Sequence, residues 1–235
     1  MKKIFLLFWL PLLFSASLFS CKDNGETTPP GTAFFLINAS PDAPNIDVFT
    51  NGTASATNMA FGQDTGYFLS SPSVYNLKIA QTGTTNYLID ANLTFKAGIY
   101  YSVFAIDSVS KIKAAVAEDV LFVPAADSAR VRFFQFSPNT PYLSAKFKNT
   151  VTGDSLFYSG RTFNDQSNNS TLAGFKQIKS GTYNLSITLL PDTIVYKTFT
   201  GIQFLSGKNY TVYLKGFNGA TSIQQLSLGV VEHNK

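Results

Sequence analysis

The sequence holds one cysteine, one histidine and one tryptophan, and only 14% of its 235 residues are charged. A lone cysteine, Cys21, excludes an internal disulfide framework, which needs two. A lone histidine, His233 near the C-terminus, excludes His-based metal clusters and argues against a Ser/His/Asp or Cys/His catalytic centre. Trp9 lies in an apolar N-terminal segment that is expected to be removed, so the mature chain is left without tryptophan. Removing Lys2 and Lys3 with that segment leaves 16 Lys and Arg against 14 acids, a net charge of +2. No basic run or stripe remains for nucleic acid. Helical periodicity is nearly missing as well. What is present is a chain 45% apolar and 14% aromatic, enough for one large or two ordinary domains with real cores, and this excludes wholesale disorder.

Residues 1–20 carry Lys2 and Lys3 and then a run from Ile4 to Phe19 broken only by Pro11, Ser15 and Ser17. This is the pattern of a secretory signal peptide. As a helix its sixteen residues would reach about 24 Å, short of a bilayer core of about 30 Å, so cleavage is expected rather than retention as an anchor. The stretch Leu18-Phe19-Ser20-Cys21 resembles the bacterial lipobox, which implies an acylated Cys21 as the membrane anchor. Residues 21–32 then form a flexible tether. Its Lys22-Asp23-Asn24-Gly25-Glu26 is similar to the export signal of surface lipoproteins of the Bacteroidetes group. The expected location is the outer membrane, lipid-anchored, facing either the periplasm or the cell surface.

The chain repeats itself. Phe35 to Pro44 aligns with Arg132 to Pro141 when Ser40-Pro41 is laid on Ser137-Pro138, an offset of 97. Tyr75-Asn76-Leu77 matches Tyr183-Asn184-Leu185 at an offset of 108, and Leu93 to Phe104 matches Ile202 to Tyr213 at 109. Three blocks in one order at near-constant spacing predict two homologous domains, 33–127 and 128–235, of ordinary domain size. Each block reads as a period-two alternation rich in β-branched and aromatic residues, the signal of half-buried antiparallel strands. Ile112 to Phe122 has helix-forming composition, but its place after the turn Asp107 to Ser110 favours a last strand. The count is seven strands in the first domain and seven or eight in the second. The predicted fold is all-β, two tandem immunoglobulin-like antiparallel sandwiches placed end to end by the short linker Pro124 to Ser128. In Gly98-Ile99-Tyr100-Tyr101 and Gly207-Lys208-Asn209-Tyr210, a turn glycine leads into a strand whose Tyr101 or Tyr210 occupies the place of a corner tyrosine, with its hydroxyl bonding back across the corner.

The opening block Leu36 to Phe49, with Ser40, Pro41, Asp42 and Pro44 in its turn and Ile46-Asp47-Val48 after it, resembles the domain of unknown function family 4397, DUF4397. The resemblance spans Ala33 to about Asp127. The second copy keeps Ser137-Pro138 and Pro141 but carries Asn139 in place of the acid. What the resemblance implies is an exported, often lipid-anchored sandwich of unestablished activity, with no catalytic residues supplied.

Few residues offer chemistry. Asp42, Asn45 and Asp47 present oxygens to a cation such as Ca²⁺. The second copy loses both acids while keeping the turn, which favours a structural role: Asp42 closing an Asx-type turn, Asp47 facing solvent or capping an amide. No metal and no cofactor are therefore expected. Glu118 and Asp119 are adjacent on a strand, so they point to opposite faces and cannot flank one glycosidic bond. They read as a charged strand edge that resists pairing. Tyr67, Tyr75, Tyr87, Tyr100, Tyr142 and Tyr158 are the rings available to stack on a sugar, although cores consume such rings by default. The expectation is a non-catalytic envelope module, protein-binding or structural, with carbohydrate binding as the alternative.

Overall fold

A computed structural model describes residues 31–191 and 193–233. Residues 1–30, on which the expected leader, the lipidation at Cys21 and most of the expected tether fall, lie outside the described residues. The described chain forms sixteen strands and no α-helix. The first eight are β1 (Thr32–Asn38), β2 (Ile46–Thr50), β3 (Thr53–Met59), β4 (Phe68–Ser70), β5 (Ser73–Gln81), β6 (Tyr87–Phe95), β7 (Tyr100–Ile106) and β8 (Lys113–Asp119). The second eight are β9 (Ser128–Gln135), β10 (Leu143–Asn149), β11 (Ser155–Arg161), β12 (Lys176–Lys179), β13 (Gly181–Leu189), β14 (Val195–Phe204), β15 (Asn209–Lys215) and β16 (Ser227–His233). The helix-like composition after Ile112 becomes strand β8.

Four sheets result, in the orders β4-β1-β7-β8, β3-β2-β5-β6, β12-β9-β15-β16 and β11-β10-β13-β14. The first two make one sandwich and the last two repeat it strand for strand. Each module has eight strands, because the short β4 and β12 complete a sheet edge that the apolar runs alone do not announce. One pair per module departs from the antiparallel expectation: β1 runs parallel to β7, and β9 to β15. Local chemistry sets the turns. Between β2 and β3, Asn51 and Gly52 both take positive φ, 49° and 80°, the requirement of a two-residue hairpin turn whose twist matches its strands. At the two corners the Tyr101 hydroxyl accepts from the Lys96 amide and the Tyr210 hydroxyl from the Leu205 amide, each at 3.1 Å.

The modules do not stand end to end. Their sheets stack face to face in four layers with three cores. Phe34, Leu36, Ile46, Ile79 and Val103 fill the first sandwich, and Val131, Phe133, Phe147, Leu185 and Val212 fill the second. A third core lies between the modules, where Phe35, Ile37, Phe104 and Ile106 meet Phe134, Phe136 and Tyr213. The physical reason is in β1, β7, β9 and β15, which are buried on both faces rather than one. Every residue of β1 is buried, as expected only of a strand covered on two sides. Separating the modules would expose seven large side chains, a cost on the order of 10 kcal/mol, against which a short linker's freedom counts for little.

The contact is pseudo-twofold, with repeat-equivalent residues meeting each other. Phe104 packs edge-on against Tyr213, its counterpart 109 residues later, with centroids 5.3 Å apart. Tyr100 pairs with Asp119 and Asn209 with His233 in the same register, so Asp119 and His233 are equivalent positions. Both modules point the same way. At the base lie Gly31, the linker and His233, with the Gly98 amide bonded to Gly31 and the Gly207 amide to Ser128. At the far end Lys215 sits 4.0 Å over the Phe61 ring and Lys113 5.1 Å over Phe163, which keeps the modules aligned there too.

Candidate functional site

The polar side of the inter-module core is the densest chemical cluster among the described residues. Arg132 on β9 and Asp119 on β8 form an ion pair with both side chains fully buried. Arg132 Nη2 also donates to Ser102 at 3.0 Å and Nη1 to the Glu118 carbonyl at 2.9 Å. Its Nε donates to Thr211 Oγ1 at 2.7 Å. From there the bonds close a ring. Thr211 Oγ1 lies 2.6 Å from His233 Nε2, His233 Nδ1 lies 2.7 Å from the Tyr67 hydroxyl, and that hydroxyl donates to Asp119 Oδ2 at 2.7 Å. One proton arrangement satisfies every member: Arg132 to Thr211, Thr211 to His233, His233 through Nδ1–H to Tyr67, and Tyr67 to Asp119. His233 is thus neutral, and burial pushes its pKa down to about 4. Burial, with the Asp119 charge beside it, pushes the Tyr67 phenol far above its usual range. Phe175 sits over the Arg132 guanidinium and edge-on to His233.

The order Thr211, His233, Tyr67, Asp119 has the connectivity of a hydroxyl, a base and an acid. Yet Thr211 is completely buried and accepts from Arg132, so no substrate atom can approach it. A base whose pKa lies near 4 is also too weak to take its proton at neutral pH. The ring is a clasp between modules.

Beside it, a cavity of about 400 Å³ opens between the edge strand β8 and the loop 165–174 of the second module, lined by Val116, Glu118, Val120, Gln166, Ser170 and Ala173. Gln166 is buried, and its Oε1 is the one buried side-chain nitrogen or oxygen without a partner among the described residues.

The residues singled out from sequence fall elsewhere. Asp42 Oδ1 accepts from the Val109 amide at 2.7 Å, tying the first turn to the β7–β8 connection rather than closing its own Asx turn. Asp47 is buried and caps backbone amides, the second of the two structural roles expected of it. It accepts from the Asn58 amide at 2.8 Å, the Gly83 amide at 3.0 Å and Thr82 at 2.9 Å, and the two amides lower its pKa. Asn45 donates to Asn58. No group of three His, Cys, Asp or Glu side chains gathers as metal ligands among the described residues. Ser40 bonds the Asp107 carbonyl at 2.7 Å, and Pro41 and Pro44 flank the same turn. Glu118 and Asp119 do face opposite ways, but only Glu118 is a charged edge residue, paired with Lys96 at 3.0 Å. Asp119 is interior because the second module covers it. The six tyrosines share no platform. Tyr158 is buried and donates to the Val131 carbonyl, Tyr75 to Ser71, and Tyr67 lies in the clasp with Tyr100 packed on it. Tyr87 and Tyr142 are exposed on different modules. Arg132 and His233 were missed as site residues. The only available signal was an arginine inside an otherwise apolar strand, which in a buried strand demands a partner.

Fold and site together define a tandem β-sandwich protein whose modules are fused through a buried polar clasp. Residues 34–146 match the family model described as domain of unknown function (DUF4397), and the stretch is DUF4397-like from within β1 to within β10. No curated protein matches the chain. Among solved structures, a leucine-rich repeat protein from Bacteroides thetaiotaomicron shows 13% identity over 85% of this chain and 27% of its own, with a TM-score of 0.20. A family 26 carbohydrate-binding module from Eubacterium rectale Amy13K, solved with maltoheptaose, shows 9% identity over 87% of this chain and 98% of its own, with a TM-score of 0.24. The chain thus spans about a quarter of the first protein. Scores this low carry no argument about fold or ligand.

Proposed function

We propose that this protein is a non-catalytic recognition module of the cell envelope, lipid-anchored through Cys21, that binds an extended protein segment. The observation that supports it is the cleft between β8 and the loop 165–174. The edge strand β8 pairs on one side only, Val116 and Ala173 supply apolar contact in the cleft, and the buried Gln166 Oε1 has no partner beside it. Strand addition to a sheet edge uses these elements. The titratable cluster nearby contributes cohesion rather than chemistry, since every member is satisfied internally.

The test is site-specific photo-crosslinking in intact cells from Ser170, with Ile223 at the far end as the control position. A discrete partner captured from Ser170 alone and lost on Val116→Arg supports the reading. Equal capture from both positions, or from neither, overturns it. Micromolar binding on a glycan array that is abolished by Tyr142→Ala or Tyr87→Ala would replace it with carbohydrate recognition. Fatty-acid labelling that persists after Cys21→Ala would remove the anchor.

A further inference from the structure

The segment joining the modules, Val120-Leu121-Phe122-Val123-Pro124-Ala125-Ala126, contains no polar side chain in seven residues. Such a run normally sits in a core. Here it is on the surface: Val120 is 61%, Phe122 54% and Val123 83% exposed. Nor is the loop loose. The Leu121 amide bonds the Asp119 carbonyl at 2.9 Å. The Val120 carbonyl accepts from Arg130 at 2.8 Å, and the Phe122 carbonyl from Asn209 at 3.2 Å. The Arg130 guanidinium lies 3.5 Å from the Phe122 ring centre and supports it from beneath. Leu121 runs between two repeat-related clefts, one of about 250 Å³ reached by Gly98, Tyr100 and Asp119, the other of about 230 Å³ reached by Gly207, Asn209 and His233. The structure therefore holds a rigid, uncharged apolar ridge out into solvent, which marks a surface covered by something apolar.

The position of the ridge names the occupant. It lies at the base, the end where the described chain begins at Gly31, whose carbonyl bonds Gly98 on the wall of one cleft. Cys21 is ten residues before Gly31, and ten residues reach no further than about 36 Å. An acylated Cys21 thus keeps this end turned toward the bilayer. At the same base Leu205 and Val151 are exposed. The flanking lysines are neutralised as ion pairs, Lys96 with Glu118 and Lys208 with Glu232. We propose that the 120–126 ridge inserts into the lipid interface, so that the protein stands on the membrane by its linker with the far-end loops directed away. The proposal rests on the lipid-anchor reading.

The experiment uses the acylated mature chain on phosphatidylethanolamine and phosphatidylglycerol vesicles. An environment-sensitive dye is placed on Val123→Cys or on Ile223→Cys, two sites of matched exposure, 83% and 81%, at opposite ends. Spin-labelled lipid is then added as a quencher. The expected result is a blue shift and several-fold stronger quenching at 123 than at 223. Equal, weak quenching at both sites on vesicle-bound protein overturns the proposal while leaving the anchor intact. A chain that never associates with vesicles and takes up dye at Cys21 as well overturns the anchor reading itself. A shift at 123 that appears without lipid and grows with protein concentration assigns the ridge to a second copy of the chain and also overturns the proposal.

Discussion

Arg132 is a fully buried guanidinium whose bonds all cross or border the gap between modules, so its removal is felt on both sides. Arg132→Met leaves Asp119 charged and buried without its partner, a loss of about 3–5 kcal/mol, read as a lower urea midpoint. The double variant Arg132→Met/Asp119→Leu removes the orphaned charge as well and is expected to recover most of that loss. A double variant no more stable than the single one would show that the pair is not the source. His233 sets a pH dependence with a definite sign. Its folded pKa, held near 4 by burial, lies below the unfolded value near 6.5. Above 6.5 neither state takes the proton and the contribution is complete. As the pH falls from 6.5 to 4 the unfolded chain binds a proton that the native chain refuses. Stability then drops by about 1.4 kcal/mol per unit, about 3 kcal/mol in all. Urea titrations at pH 7 and pH 4 should show the wild type losing that much more than His233→Gln. Equal losses would place the imidazole outside the buried ring.

At the scale of elements, the corner tyrosines were legible in the sequence, because a turn glycine and a strand tyrosine three residues on occur in both copies at one offset. The bonds to the Lys96 and Leu205 amides follow from that local geometry. Tyr101→Phe should cost about 1 kcal/mol as a lost net hydrogen bond, measured by the urea midpoint. Gly229 on β16 was not legible. A Cβ built there lies 1.9 Å from the Tyr213 ring, so Gly229→Ala forces the ring out of the inter-module core and should cost more than Gly174→Ala, whose φ of −71° suits alanine and whose Cβ meets nothing closer than 3.4 Å. Calorimetric midpoints of the two variants decide the order. The strand count expected for the first module is one short for a related reason. β4 is three residues long, and its pairing with β1 is fixed by what β1 offers rather than by any pattern of its own.

At the scale of the molecule, the middle core makes the two modules one cooperative unit. A single calorimetric transition is expected for the wild type, because neither module can unfold without exposing Phe35, Phe104 and Phe134. Phe104→Lys buries an unpaired charge against Phe134 and Tyr213 and should split the transition into two. One unbroken transition in that variant would mean the modules couple by another route.

Composition and periodicity by themselves determined the all-β class, the duplication and the corner tyrosines. These are local or repeated properties, and each is written in consecutive residues. Only the tertiary structure decided that the modules lie face to face, that Asp119, Arg132, Tyr67, Thr211 and His233 close one ring, and that the linker ridge remains uncovered. Those residues are up to 166 positions apart. They meet because β1 and β7 carry Phe35, Ile37, Phe104 and Ile106 on their second face, and Phe134, Phe136 and Tyr213 of the other module cover them.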